Sequence, residues 1–178
     1  FQLDRRCGSG VQAVATAAMM VETGMADVVV AGGCESMSNV EHYTTDLRNG
    51  VRMGDMTLHD RLSRGRLMSQ PIERFGIITG MIETAENLAK DYNIAREEAD
   101  AFAVRSHQNA AKAWEEGKFA AHLVPVEVPQ RRGDPVRFDH DEGYRADASI
   151  ETLGALRAID LKRDPDAIVT AGNASQQN

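Results

Sequence analysis

Every position from Val11 to Val21 is uncharged, filled by Ala, Val, Met, Gln and Thr. Such a run is too long for one strand and predicts a buried helix ending near Gly24. The next apolar run, Asp27-Val28-Val29-Val30-Ala31-Gly32-Gly33, is short and continuous, predicting a fully buried strand that ends in a glycine pair. From Asn39 to Ser69 neither period persists, so this stretch reads as a polar excursion rather than core. Helical spacing returns with Ile78, Met81, Ile82, Ala85, Leu88, Ala89 and Tyr92. It continues from Ala95 to Gly117, with Phe102, Ala103, Ala110, Ala113 and Trp114 on one side and Arg96/Asp100 and Lys112/Glu116 as i,i+4 pairs. Gly117 supplies the stop, whereas Ala95 offers no capping oxygen. Leu123 to Val128 and Pro135 to Phe138 alternate as two half-buried strands around a turn at Arg131 to Asp134, their prolines marking an edge. Ile150 to Leu156 then predicts a short helix and Ala167 to Gly172 a core strand. The order is core, excursion, core, without repeats.

Candidate chemistry begins ahead of the first helix, in Asp4-Arg5-Arg6-Cys7-Gly8-Ser9-Gly10. A cysteine at a helix entrance faces unpaired N–H groups and the positive dipole end, which favour the nucleophilic thiolate. Gly8 and Gly10 let the backbone turn and approach a substrate closely, leaving N–H groups free for a developing oxyanion. The competing reading is a buried structural cysteine in a glycine-containing turn. Cys34 reads as a small core residue.

Composition narrows the classes. The chain has 178 residues, 42% of them hydrophobic, enough for the core of one domain or parts of two. Lys+Arg 20 against Asp+Glu 27 gives a net charge of -7, which argues against a general nucleic-acid or membrane-surface binder. Arg52, Arg61, Arg64 and Arg66 make the excursion locally basic, as a solvated face or a phosphate contact. No stretch is a membrane span, and no targeting signal is visible. Two cysteines without ligand spacing suit a reducing compartment, and the scattered histidines His42, His59, His107, His122 and His140 predict no metal site.

The pieces Cys7-Gly8-Ser9-Gly10, Gly32-Gly33-Cys34-Glu35-Ser36-Met37-Ser38, Thr84-Ala85-Glu86-Asn87 and Thr170-Ala171-Gly172-Asn173-Ala174-Ser175 together resemble the thiolase family in order and spacing. The resemblance implies an α/β fold: a partial layered αβαβα core with an α+β loop-domain excursion. It implies a core segment 1–40 with the nucleophile helix, a loop domain 41–165 for coenzyme A (CoA) and tetramer contacts, and a return to core at 166–178. Phe1 in place of an initiator Met, and an end at Ser175 to Asn178 where a helix would start, predict a fragment without the C-terminal domain that carries the family's catalytic His and second catalytic Cys.

The activity implied is thiolytic cleavage of a β-ketoacyl-CoA, or the reverse condensation, through a thioester on Cys7. No group is held covalently as a cofactor; coenzyme A is a co-substrate and acyl-CoA the partner. By position in the family's pattern, Arg145 lies near the nucleotide with Thr152 beside it, Ala171 and Ser175 line the pantetheine arm, and Met81 lies near the thioester. Gly80 stands where short-chain members carry a His, which implies room for a bulkier acyl group and tilts the reading toward lipid degradation in fatty acid metabolism. A homo-oligomer, dimer or tetramer, in the bacterial cytoplasm is implied, an organelle remaining open. A β-ketoacyl synthase-like condensing enzyme and a non-catalytic acyl-CoA-binding protein are the alternatives.

Overall fold

The computed structural model describes residues 1–76 and 80–175. Ile78, the expected start of the second amphipathic helix, and residues 176–178 lie outside them. By its internal contacts the chain forms two compact units, Phe1–Pro71 and Ile72–Asn178.

In the first unit a short 3-10 turn over Arg6–Gly8 runs into α1 (Ser9–Glu22). The helix stops where expected. Thr23 Oγ1 donates to the carbonyl of Met19 at 2.7 Å, and Gly24, at φ 70°, donates its N–H to Val21 at 3.0 Å. The expected burial is not found, for no residue of α1 is buried and Val11 is 78% exposed. An apolar helix is buried only where a second layer covers it, and here Val29 and Ala31 merely edge a shallow groove along Val14, Ala18 and Val21. The strand expected over Asp27 to Gly33 is likewise corrected: it joins no ladder among the described residues, and Val30 is 96% exposed. A buried strand needs neighbours to take its N–H and C=O groups. Cys34 is exposed rather than core for the same reason.

The excursion holds more order than its pattern suggested. β1 (His42–Tyr43) pairs antiparallel with β2 (His59–Asp60), His42 opposite Asp60, and α2 (Arg61–Leu67) follows. Two-residue strands and a seven-residue helix are too short to print a period. Asp60 caps α2 by accepting from the N–H of Leu62 at 3.0 Å and of Ser63 at 3.2 Å. The Ser63 hydroxyl, and then the Leu62 N–H, hold the Asp60 carboxyl below its ordinary value. Arg61 pairs with Glu41 and Arg64 lies over the Tyr43 ring at 5.5 Å, so two arginines of the basic stretch have partners.

The second unit begins with α3 (Ile72–Phe75) and α4 (Met81–Tyr92), the latter ended by Asn93 at φ 54°. α5 (Arg96–Glu115) starts at an Ala95 that makes no side-chain cap bond and stops before Gly117, at φ 66°. Its buried stripe is Asp100, Ala103, Val104 and Ala111. Phe102, placed on the inner side by the sequence, is 64% exposed, because it lies two positions from Asp100 and so well round the helix from that stripe. Ala103 and Val104 form the core with Ala148 and Leu153.

β3 (Val126–Val128) and β4 (Val136–Phe138) pair antiparallel as expected, Val126 opposite Phe138 and Val128 opposite Val136. Both strands are exposed throughout rather than half-buried. Alternation gathers their apolar side chains on one face, yet no layer among the described residues packs there.

α6 (Ile150–Gly154) opens with a capping box between Ser149 and Thr152 and closes with a turn through Leu156. The core strand expected at Ala167 to Gly172 is reduced to one antiparallel bridge, Ala158 to Thr170, before the chain turns at Ala171. Mixed helices and strands thus make an α/β chain. Among the described residues, no helix is long and apolar enough to cross a membrane.

Candidate active site

Cys7 sits in the 3-10 turn that feeds α1, with a free, exposed thiol. Its neighbours fix the backbone around it. Arg6, immediately before, is held at φ 53°, in the left-handed region that costs a non-glycine residue roughly 1–3 kcal/mol. Asp4 Oδ1 accepts from the Arg6 N–H at 2.8 Å, and Ser9 Oγ donates to the Arg6 carbonyl at 2.7 Å while accepting from the Arg5 N–H at 2.9 Å. Arg6 Nη2 reaches the carbonyl of Gly65 at 3.3 Å, and Arg5 Nη1 donates to Gln12 Oε1 at 2.6 Å. Two arginines are therefore tied down beside the thiol, and the first turn of α1 starts two residues after it. Such a turn can bring the sulfur against an electrophile, but the Gly8 N–H, expected to be free for a developing oxyanion, donates to the Arg5 carbonyl at 3.1 Å, and the Ser9 N–H is taken by the Arg6 carbonyl, because the 3-10 turn closes on its own amides.

The remaining six sequence-derived candidates belong to the second unit. Gly80, buried, is the N-terminal flank of α4, and its carbonyl accepts from the N–H of Thr84 at 3.1 Å and the Thr84 hydroxyl at 3.0 Å. Met81, the first helical residue, is exposed. Glu83, in the same first turn, is held below its ordinary value chiefly by its own N–H and then by that of Gly80.

Arg145 lies on the loop before α6 and is exposed. Its N–H donates to His107 Nδ1 on α5 at 3.1 Å, which requires that nitrogen to be unprotonated, and its carbonyl accepts from the N–H of Ala148 at 3.2 Å. The Tyr144 hydroxyl meets His140 Nε2 at 2.9 Å, and that imidazole packs tilted against Trp114 with centroids 4.1 Å apart. Thr152 Oγ1 accepts from the Ser149 N–H at 3.0 Å, so this hydroxyl already closes the capping box. Glu151 beside it is held below its ordinary value, first by the Ser149 hydroxyl.

Ala171 and Ser175 are exposed on the turn after the Thr170 bridge. That turn rests on α6: a Cβ added to Gly172 would lie 2.7 Å from Leu156 Cδ1 and 2.8 Å from Leu153 Cγ. Only glycine permits so close an approach.

Glu86 and Asn173 lie within the motifs and Asp100 within an i,i+4 ion pair, but the sequence alone assigns them no task. Glu86 accepts from the N–H groups of Ile168 at 3.0 Å and Val169 at 2.8 Å. Asn173 donates to Asp100 at 2.9 Å and accepts from the Thr170 N–H at 2.8 Å. The available signal was a charge at a position that the helical period assigns to the buried stripe, four residues after its Arg96 partner. Among the described residues no group of His, Cys, Asp and Glu side chains could hold a metal ion.

A protein-family model described as "Thiolase, N-terminal domain" matches residues 1–178. An acetyl-CoA acetyltransferase of Chromobacterium violaceum is 47% identical over 173 residues, covering 97% of this chain and 42% of that protein. One from Thiocystis violacea is 43% identical over 177 residues, covering 99% and 43%. The crystal structure of the Bacillus anthracis acetyl-CoA acetyltransferase superposes with a TM-score of 0.82 at 40% identity, covering 98% of this chain and 42% of that one. The chain therefore spans less than half the length of the relatives it matches.

Proposed function

Because the chain belongs to the thiolase family, matching its N-terminal domain along the whole length, we propose that it carries the nucleophile of a CoA-dependent acyltransferase. The carrying observation is Cys7: a free, exposed thiol at the entrance of α1, on a backbone fixed by Asp4 and Ser9. In the cleavage direction the Cys7 sulfur forms a bond to the keto carbon of a β-ketoacyl-CoA. The bond between that carbon and the neighbouring α-carbon then breaks, its electron pair leaving on the α-carbon, which takes up the proton given up by the Cys7 thiol and departs as acetyl-CoA. The acyl group stays on Cys7 as a thioester. Attack by the thiolate of a second CoA transfers it and returns the Cys7 sulfur, so one difficult carbon–carbon cleavage becomes two acyl transfers.

Incubation of the complete enzyme with a β-ketoacyl-CoA, acid quench and peptide mass spectrometry tests this reading. The acyl mass should sit on the peptide that contains Cys7. Its presence on any other residue under turnover rejects the proposal.

Arg145 is assigned to the nucleotide phosphates of CoA, since a guanidinium binds phosphate with two parallel donors and the His107 bond fixes its backbone. Arg145→Ala should raise the KM for CoA about tenfold while lowering kcat less, because a remote phosphate contact is made equally in ground and transition states. An unchanged KM in steady-state assays would remove Arg145 from the site. Gly80 is assigned to a roomier acyl site, which a kcat/KM series over acyl length tests; Gly80→His should shift the preference to short chains, and an unchanged preference would refute the assignment.

A further inference from the structure

Three polar or charged side chains are buried among the described residues, Glu86, Asp100 and Thr170, and all three converge on the same stretch of backbone. Burying a carboxylate is costly unless its oxygens are bonded, so two of them aimed at one turn call for a physical reason. Glu86 sits on α4 at 5% exposure, and its two oxygens accept separately from the N–H groups of Ile168 and Val169. Asp100, at 2% exposure on α5, accepts from Arg96 Nε at 2.7 Å through one oxygen and from Asn173 Nδ2 at 2.9 Å through the other. Asn173 spends its remaining capacity inside the turn, donating to the Ile168 carbonyl at 3.0 Å and accepting from the Thr170 N–H at 2.8 Å. Thr170 Oγ1 accepts from the N–H of Gly172 at 3.1 Å. Arg96 also donates to the carbonyls of Leu153 and Leu156, at 2.8 and 3.0 Å, so the end of α6 joins the same network.

The backbone so held is the segment that leads into Ala171 and Ser175, both of which face outward. We propose that Glu86 and Asp100 are positioning residues for the wall of the pantetheine arm: Glu86 fixes the entry to the turn, Asp100 fixes its middle through Asn173, and Ala171 and Ser175 are thereby presented to CoA. This rests on the reading of the protein as a CoA-dependent acyltransferase. It gives the Thr84-Ala85-Glu86-Asn87 and Thr170 to Ser175 motifs one joint task, since the first supplies the clamp and the second is what it grips.

In the complete enzyme, Glu86→Gln keeps the shape of the side chain but sets an NH2 group against one of the two backbone N–H groups. The KM for CoA should rise about tenfold with kcat changed less than about threefold, as for a hydrogen bond to a charged group lost from a binding wall. Hydrogen exchange of the Ile168 and Val169 amides should accelerate in the same variant. Asn173→Asp, which turns a donor to Asp100 into a like charge, should produce the same split more strongly. Lys90→Ala, which removes a surface ion pair with Asp164, should change neither value.

A loss of active enzyme lowers apparent kcat and leaves KM alone; that pattern, or a Glu86→Gln protein that does not fold, makes the residue structural and overturns the inference. Unchanged KM with accelerated exchange also overturns it, because the turn would then be loosened without consequence for CoA. A wild-type enzyme that turns over no CoA thioester defeats the functional reading instead, and is told apart because failure of the clamp leaves wild-type turnover intact.

Discussion

Cys7→Ala in the complete enzyme should lower turnover of a β-ketoacyl-CoA by at least about 10⁴-fold while CoA affinity changes by less than about threefold. The size follows from what the sulfur does. In the proposed reaction it makes and breaks the bond that divides the cleavage into two acyl transfers, and without it no thioester would form on this turn. It contributes little to affinity, since the exposed thiol is a small group at the edge of any binding surface. The backbone should survive the change, because the 3-10 turn is held by Asp4, Ser9 and Arg5 rather than by the thiol. Steady-state rates and a CoA titration measure both halves of the expectation. Residual turnover within about tenfold of wild type, with the acyl group trapped on another side chain, would show that Cys7 is not the nucleophile.

The second large effect concerns Asp100. Asp100→Ala should weaken the second unit by roughly 3 kcal/mol, the lower end of what is lost when one partner of a buried ion pair is removed. The lower end is chosen because Arg96 keeps two carbonyl partners, on Leu153 and Leu156. Asn173, in contrast, keeps its bonds within the turn but loses its tie to α5. The loss should register as amide exchange at Val169 and Thr170 faster by about two orders of magnitude, since about 1.4 kcal/mol corresponds to tenfold. Exchange within threefold of wild type would mean that the turn is held by packing on Leu153 and Leu156 instead.

The helices α1, α4, α5 and α6 were legible because their signals are local, whereas α2 and α3 are too short to show a period. Uncharged residues from Val11 to Val21, Gly24 beyond them, and Gly117 after α5 announce helix and stop without reference to anything distant. Burial was not legible, for it depends on what covers a face. Val11, Val30 and Phe138 are apolar residues placed by their pattern in a predicted helix or strand, and all three are exposed here. The strands expected at Asp27 to Gly33 and Ala167 to Gly172 failed for a related reason: a ladder is a property of two segments, and apolarity in one cannot supply the other. For the candidate site, motif spacing marked Cys7, while the bond from Arg145 to His107 and the grip of Glu86 on Val169 join residues 38 and 83 positions apart. No periodicity carries information over such a separation.

Arg6 limits how this protein could be improved by engineering. A screen for heat tolerance would favour Gly or Asn at that position, since either accepts φ 53° with less strain than Arg. The same exchange would release the tie to Gly65 and widen the range of shapes open to the peptide just ahead of Cys7. Variants selected there for ruggedness would therefore be those whose proposed nucleophile is aimed least well, and heat tolerance and turnover should move in opposite directions at this one codon.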